Sequence, residues 1–144
     1  MSWIQTFSGL AIKRLPKVMS PKGHAIADYA MAAGAFIAAA AFFRSNRKTA
    51  GVAALVAGTI QTVNPLITDF PGGAFKVISF PAHGRIDATA TGIIASLPQL
   101  IGFANEPESR FFLLHAGVAT AVIAMTDFER SGLQAASSAH SEPS

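Results

Sequence analysis

The sequence predicts an all-α fold: a four-helix transmembrane bundle built from two tandem helical hairpins. Three observations predict it. Four windows are nearly free of charge, the connections between them are polar or rich in breakers, and one set of residues recurs at an almost constant offset.

The windows run Ala25–Phe43, Thr49–Thr68, Ala88–Asn105 and Phe111–Thr126, with Asp28 the one acidic break. A helix needs about 20 residues to cross a hydrocarbon core of about 30 Å. The first three windows meet that length, and the fourth needs its interfacial flanks. Four such windows in 144 residues leave too little polar face for a bundle surrounded by water. Composition agrees: 51% of the residues are hydrophobic and 13% are charged, where a soluble domain carries about 25% charged residues. The net charge of +3 is too small for a stripe that tracks nucleic-acid phosphates, so no nucleic-acid partner is expected. The absence of Cys excludes disulfides, thiolate metal sites and cysteine nucleophiles.

Residues 1–18 place Trp3, Ile4, Phe7 and Leu10 at helical spacing ahead of Lys13, Arg14 and Lys17, the pattern of a short helix lying at a lipid surface. Residues 19–70 form the first two-span unit and residues 71–128 the second. Arg44–Lys48 and Glu106–Ser109 are short polar loops that pair span one with two and span three with four. The middle connection, Asp69–Ala82, is longer and carries the breaker Pro71-Gly72-Gly73. Pro98 is expected to kink span three, and Asn64-Pro65 the end of span two. Residues 129–144, rich in Ser and Ala, read as a mobile tail. Seven Lys and Arg residues fall on the side of the termini and middle loop, against four on the other. That bias places both termini in the cytoplasm and the chain in the inner membrane.

Small residues supply a packing expectation. Ala30, Gly34 and Ala38 make one small-residue stripe, and Gly51, Ala54 and Gly58 another.

The repeat carries the chemistry. Ser20-x-x-x-His24-x-x-x-Asp28 recurs as Ser79-x-x-x-His83-x-x-x-Asp87 at an offset of 59, and Thr68-Asp69-Phe70 recurs as Thr126-Asp127-Phe128 at an offset of 58. Two spans per unit bring the second unit into the membrane from the same side, a parallel pseudo-repeat. His24, Asp28, Asp69, His83, Asp87 and Asp127 then gather near one leaflet. Ser20 and Ser79 occupy N-cap positions, with Pro21 and Pro81 in the first turn. His and Asp four residues apart share a helix face. A carboxylate two turns past the cap reaches the edge of the hydrocarbon, where it needs a partner.

The leading reading of this cluster is a lock that fixes the helix ends together. The alternatives are an ion, proton or metal site between the units, with His and Asp suited to Zn²⁺ or Mn²⁺, and a haem held by His24 and His83. His115 is expected on the opposite side, outside the cluster.

The repeated H-x-x-x-D, the T-D-F that closes each unit and the stretch K-V-I-S-F-P-A-H-G-R-I-D resemble the bacterial SPW-repeat integral membrane proteins, from about Ser20 to Phe128. The S-P-W and L-F-G-F of that family appear here as Ser96-Leu97-Pro98-Gln99-Leu100-Ile101-Gly102-Phe103, without the Trp. The resemblance implies the four-span, two-unit architecture; no biochemical activity is assigned to that family. No nucleophile elbow, zincin helix, Walker loop or dinucleotide fingerprint is present. The function expected from sequence is therefore a non-enzymatic bundle whose partners are the bilayer and either a second copy or another membrane protein.

Overall fold

The computed structural model describes residues 15–129; the greater part of the N-terminal segment and all but the first residue of the tail lie outside them. Four helices make up the described fold: α1 (Pro21–Arg44), α2 (Lys48–Leu66), α3 (Phe80–Leu100) and α4 (Ser109–Met125). There is no strand among the described residues, only two isolated bridges, Met19 with Thr126 and Thr68 with Ile78. The fold is all-α.

Local chemistry sets the helix starts. The Ser20 hydroxyl accepts the Gly23 amide at 3.1 Å, and the Ser79 hydroxyl accepts that of Ala82 at 3.3 Å. Each satisfies one of the amides that a first turn leaves without a partner. Helix α3 therefore begins at Phe80, well before the charge-free window, because the cap and not the hydropathy defines its first turn. It also ends earlier than that window, at Leu100. The chain turns out through Gly102 at φ +82°, a conformation that favours glycine. Asn46, at φ 58°, makes the left-handed step that joins α1 to α2. Pro65 and Pro98 both sit in the closing turn of their helices.

Helix α1 packs most extensively on α2 and α3 on α4, while α2–α3 and α4–α1 contacts close the ring. The core is made mostly of alanines: Ala35, Ala39, Ala50, Ala53, Ala54 and Ala57 pack with Ile94, Phe103 and Phe112. On α1 the buried row is Ala25, Ala32, Ala35 and Ala39, not the stripe Ala30, Gly34 and Ala38. The reason lies in two rings of α1, Phe36 and Phe43, which lie over Gly58 and Gly51 of α2 and rotate α1 about its axis. A Cβ at either glycine would approach the ring to under 3 Å. At the end carrying the α1–α2 turn, Arg47 pairs with Glu108 at 3.2 Å and with Glu106 at 3.7 Å, joining the two short connections. At the other end Gly72 and Gly73 fold the middle connection back onto the bundle, where the Tyr29 hydroxyl donates to the Gly72 carbonyl at 2.8 Å.

Large apolar side chains point outward. Ile37 is 71% exposed, Leu114 72% and Leu100 69%. Helix α1, with 24 residues, is the one described helix long and apolar enough to cross a membrane; α4 is apolar but has 17 residues. Helices α2 and α3 fall short of that standard because Gly, Thr and the polar side chains Gln61, Asn64, His83, Arg85 and Asp87 dilute their apolar content.

A buried two-histidine, two-aspartate centre

His24 and His83 lie in the first turn of α1 and α3, with Asp28 and Asp87 one turn further on. Both imidazoles are fully buried, and the two carboxylates are nearly so. The rings meet edge-on across the interface, with their Nε2 atoms 3.1 Å apart. Asp87 Oδ2 lies 3.1 Å from His24 Nε2 and 2.9 Å from His83 Nε2. Asp28 spans the same pair: Oδ1 is 3.4 Å from His24 Nε2, and Oδ2 is 3.2 Å from His83 Nε2. One ligand-type atom from each of the four residues lies within 4.8 Å of all the others.

The opposite ring nitrogens fix how the imidazoles present themselves. The Thr68 hydroxyl donates to the Asn64 carbonyl at 2.6 Å, and that of Thr126 to the Val122 carbonyl at 2.8 Å. A hydroxyl has one hydrogen to give, so each Oγ1 acts as acceptor toward its histidine. His83 Nδ1–H thus donates to Thr68 at 2.9 Å, and His24 Nδ1–H to Thr126 at 2.8 Å. A neutral imidazole protonated on Nδ1 carries a lone pair on Nε2. Both Nε2 atoms face the centre and each other.

The support is reciprocal. Thr68 and Phe70, from the first T-D-F, hydrogen-bond and pack on His83. Thr126 and Phe128, from the second, do the same for His24, with ring centroids 5.3 Å and 5.1 Å apart respectively. Each T-D-F thus serves the histidine of the other H-x-x-x-D. The backbone follows the same rule, since Thr68 bridges to Ile78 just before one cap and Thr126 to Met19 just before the other. Replacing Thr126 by Val keeps the shape and leaves a buried Nδ1–H without an acceptor. The expected loss is about 1–3 kcal/mol in chemical denaturation, and a change within error would remove the Thr–His bond as a contributor.

The six residues singled out by the repeat do not form one set. His24, Asp28, His83 and Asp87 converge, while Asp69 is exposed and pairs with Lys76 at 3.2 Å. Asp127 lines an open surface groove beside Lys17 and Arg85. The middle position of T-D-F points away because its neighbours on either side, Thr and Phe, point in. His115 lies outside the cluster, well inside α4, and hydrogen-bonds Gln61 at 2.7 Å through Nε2. Asn64 is a site residue that the repeat does not mark: its Nδ2 donates to Asp87 Oδ1 at 2.7 Å. The equivalent position in the second unit is Val122, so the internal repeat hides this partner. The one available signal is a lone Asn within an apolar window. Asp28 Oδ2, by contrast, is buried with the His83 imidazole at 3.2 Å and no amide donor.

No protein-family model matches the chain, and no curated protein or solved structure is similar to it.

Proposed function

We propose that the protein is a membrane-embedded bundle of two tandem hairpins, clamped together by one divalent transition-metal ion held by His24, Asp28, His83 and Asp87. The observation that carries the metal is the 3.1 Å approach of the two Nε2 atoms, while both opposite Nδ1 atoms are taken up by threonine hydroxyls, so that neutral rings turn their lone pairs inward. Two neutral imidazoles beside two carboxylates leave two negative charges buried. Protonating both imidazoles would set two N–H groups of like charge head to head. Protonating one leaves a net charge in a place where an unpaired charge is costly. A divalent cation at the centre neutralises the carboxylates and receives both lone pairs.

The spacing fits such an ion. Metal–ligand bonds of about 2.0–2.1 Å at a tetrahedral centre put ligand atoms about 3.3 Å apart; the two Nε2 atoms and Asp87 Oδ2 stand 2.9–3.1 Å from one another, and one atom from each of the four residues lies within 4.8 Å of all the others. Nitrogen and oxygen donors without sulfur suit Zn²⁺, Mn²⁺ or Fe²⁺, and a set of four such ligands favours Zn²⁺. The threonines complete the pattern, since metal-bound histidines donate their other N–H to a fixed acceptor. A haem is the poorer fit, because imidazoles 3.1 Å apart and flanked by carboxylates have no space between them for a porphyrin.

The membrane part rests on the inverted distribution of side chains, small alanines inside and Ile, Leu and Val outside, which suits lipid better than water. The exchange of T-D-F contacts between the two H-x-x-x-D helices supports descent of the halves from one hairpin. The resemblance to SPW-repeat membrane proteins and the Lys/Arg bias that favours cytoplasmic termini agree with that placement. The clamp unites the structural and metal readings: the ion joins α1 to α3.

One preparation tests both parts. The chain is expected to stay in the membrane pellet through an alkaline carbonate wash. Purified in detergent without chelator, it is expected to carry stoichiometric metal by elemental analysis. Release by carbonate would refute the membrane placement, and wild-type protein holding no more metal than a His24→Ala/His83→Ala variant would refute the clamp.

A further inference from the structure

The two halves of the centre are not equivalent, and the difference falls on one ligand. Asp87 accepts from the Asn64 amide at 2.7 Å, and its other oxygen lies 3.1 and 2.9 Å from the two imidazoles. Asp28 has no such amide, because Val122 stands where the repeat would place its Asn64. The buried Asp28 Oδ2 accordingly has the His83 imidazole, at 3.2 Å, as its contact and no amide donor.

A small cavity opens beside this loosely held carboxylate. Its volume is about 20 Å³, and its walls include His24, Asp28, Asp87, Gln61 and Thr91. Equivalent positions of the two units line it: Asp28 and Asp87, Met31 and Ala90, Gln61 and Ala119. The cavity therefore lies between the two units and is bordered by three of the four residues of the centre, His24, Asp28 and Asp87. A space of about 10–15 Å³ by this measure holds a single water molecule, provided that two or more polar groups receive it. Gln61 and Thr91 are such groups, and Gln61 is oriented by its hydrogen bond to His115. Because Gln61 Oε1 receives that bond, its amide N–H groups remain for another acceptor.

We propose that the ion held by His24, His83, Asp87 and Asp28 keeps one exchangeable position for a water molecule in this cavity, with Asp28 as the ligand that yields. The proposal rests on the metal-clamp reading and deepens it. A purely structural ion is closed off by its four protein ligands, whereas an ion that retains water is of the kind that can acidify and activate it. The asymmetry supplies the mechanism: Asn64 fixes Asp87 on one side, whereas Asp28 is held only through its imidazole contacts and can loosen its hold on the other without opposing an amide.

The test uses full-length protein loaded with Co²⁺ in detergent and transferred to ¹⁷O-enriched water. Electron–nuclear double resonance is expected to detect one exchangeable oxygen bound to the cobalt. Ala119→Val, which adds bulk to the cavity wall without touching a ligand, is expected to abolish that signal while cobalt stoichiometry is unchanged. Bound cobalt with no ¹⁷O coupling in the wild type would overturn the water position and leave the clamp standing. Failure to bind cobalt, with no metal in the native preparation, would overturn both. If the valine variant fails to fold, the wild-type spectrum alone decides.

Discussion

Replacing His83 by alanine is expected to destabilise the protein by about 3–5 kcal/mol, the range for breaking a buried charged network by removing one partner. The imidazole is fully buried and stands between Asp28 at 3.2 Å and Asp87 at 2.9 Å. Without it the two carboxylates face each other across a cavity, and the Thr68 hydroxyl loses its donor. Thermal unfolding with and without chelator separates the metal from the packing. The wild-type midpoint should fall when the metal is stripped, whereas the variant should start low and ignore the chelator. A chelator effect of equal size in both proteins would place the ion elsewhere, and no effect in either would mean that no ion contributes to stability.

The second large effect is expected at a residue that touches no ligand. Gly73 lies so close to the carbonyl of Thr68 that a Cβ built on it would fall 1.6 Å from that oxygen, with the Pro65 carbonyl at 3.2 Å. Both obstacles are backbone, so no side-chain rotation relieves the clash. Gly73→Ala must shift the whole turn, at an expected cost of about 3 kcal/mol, the upper end for overpacking. The same shift moves Thr68 away from His83, so metal content should fall together with the unfolding midpoint. A variant with wild-type stability and full metal would show that the turn is not held as tightly as its packing implies.

The two effects share an origin. The T-D-F segments come just after α2 and α4, yet they act on histidines near the starts of α3 and α1, 15 and 102 residues away in sequence. The short separation is bridged by the turn containing Gly73, which is why a steric change there reaches the centre. The long one closes the ring between α4 and α1, and it makes the centre a property of the whole chain. Neither half by itself contains a complete histidine with its threonine.

Much of this was legible in the residue order. Ser-x-x-x-His-x-x-x-Asp places a cap, an imidazole and a carboxylate on one helix face by rise and turn alone, and a second copy at a fixed offset announces a second such face. The apolar windows mark four helices, although their ends are set by the Ser79 cap and the Gly102 turn rather than by hydropathy. Three things needed the tertiary structure. The row of α1 that is buried depends on where Phe36 and Phe43 find glycines on another helix. The division of the six polar residues into a buried four and an outward two depends on which side of a turn faces the bundle. The partners Asn64 and Gln61 sit in one unit only, so the repeat could not mark them. Periodicity and capping act between neighbours within a turn or two and leave a record in the sequence. Contacts between distant segments are set by helix rotation and the closure of the ring, for which no local pattern exists.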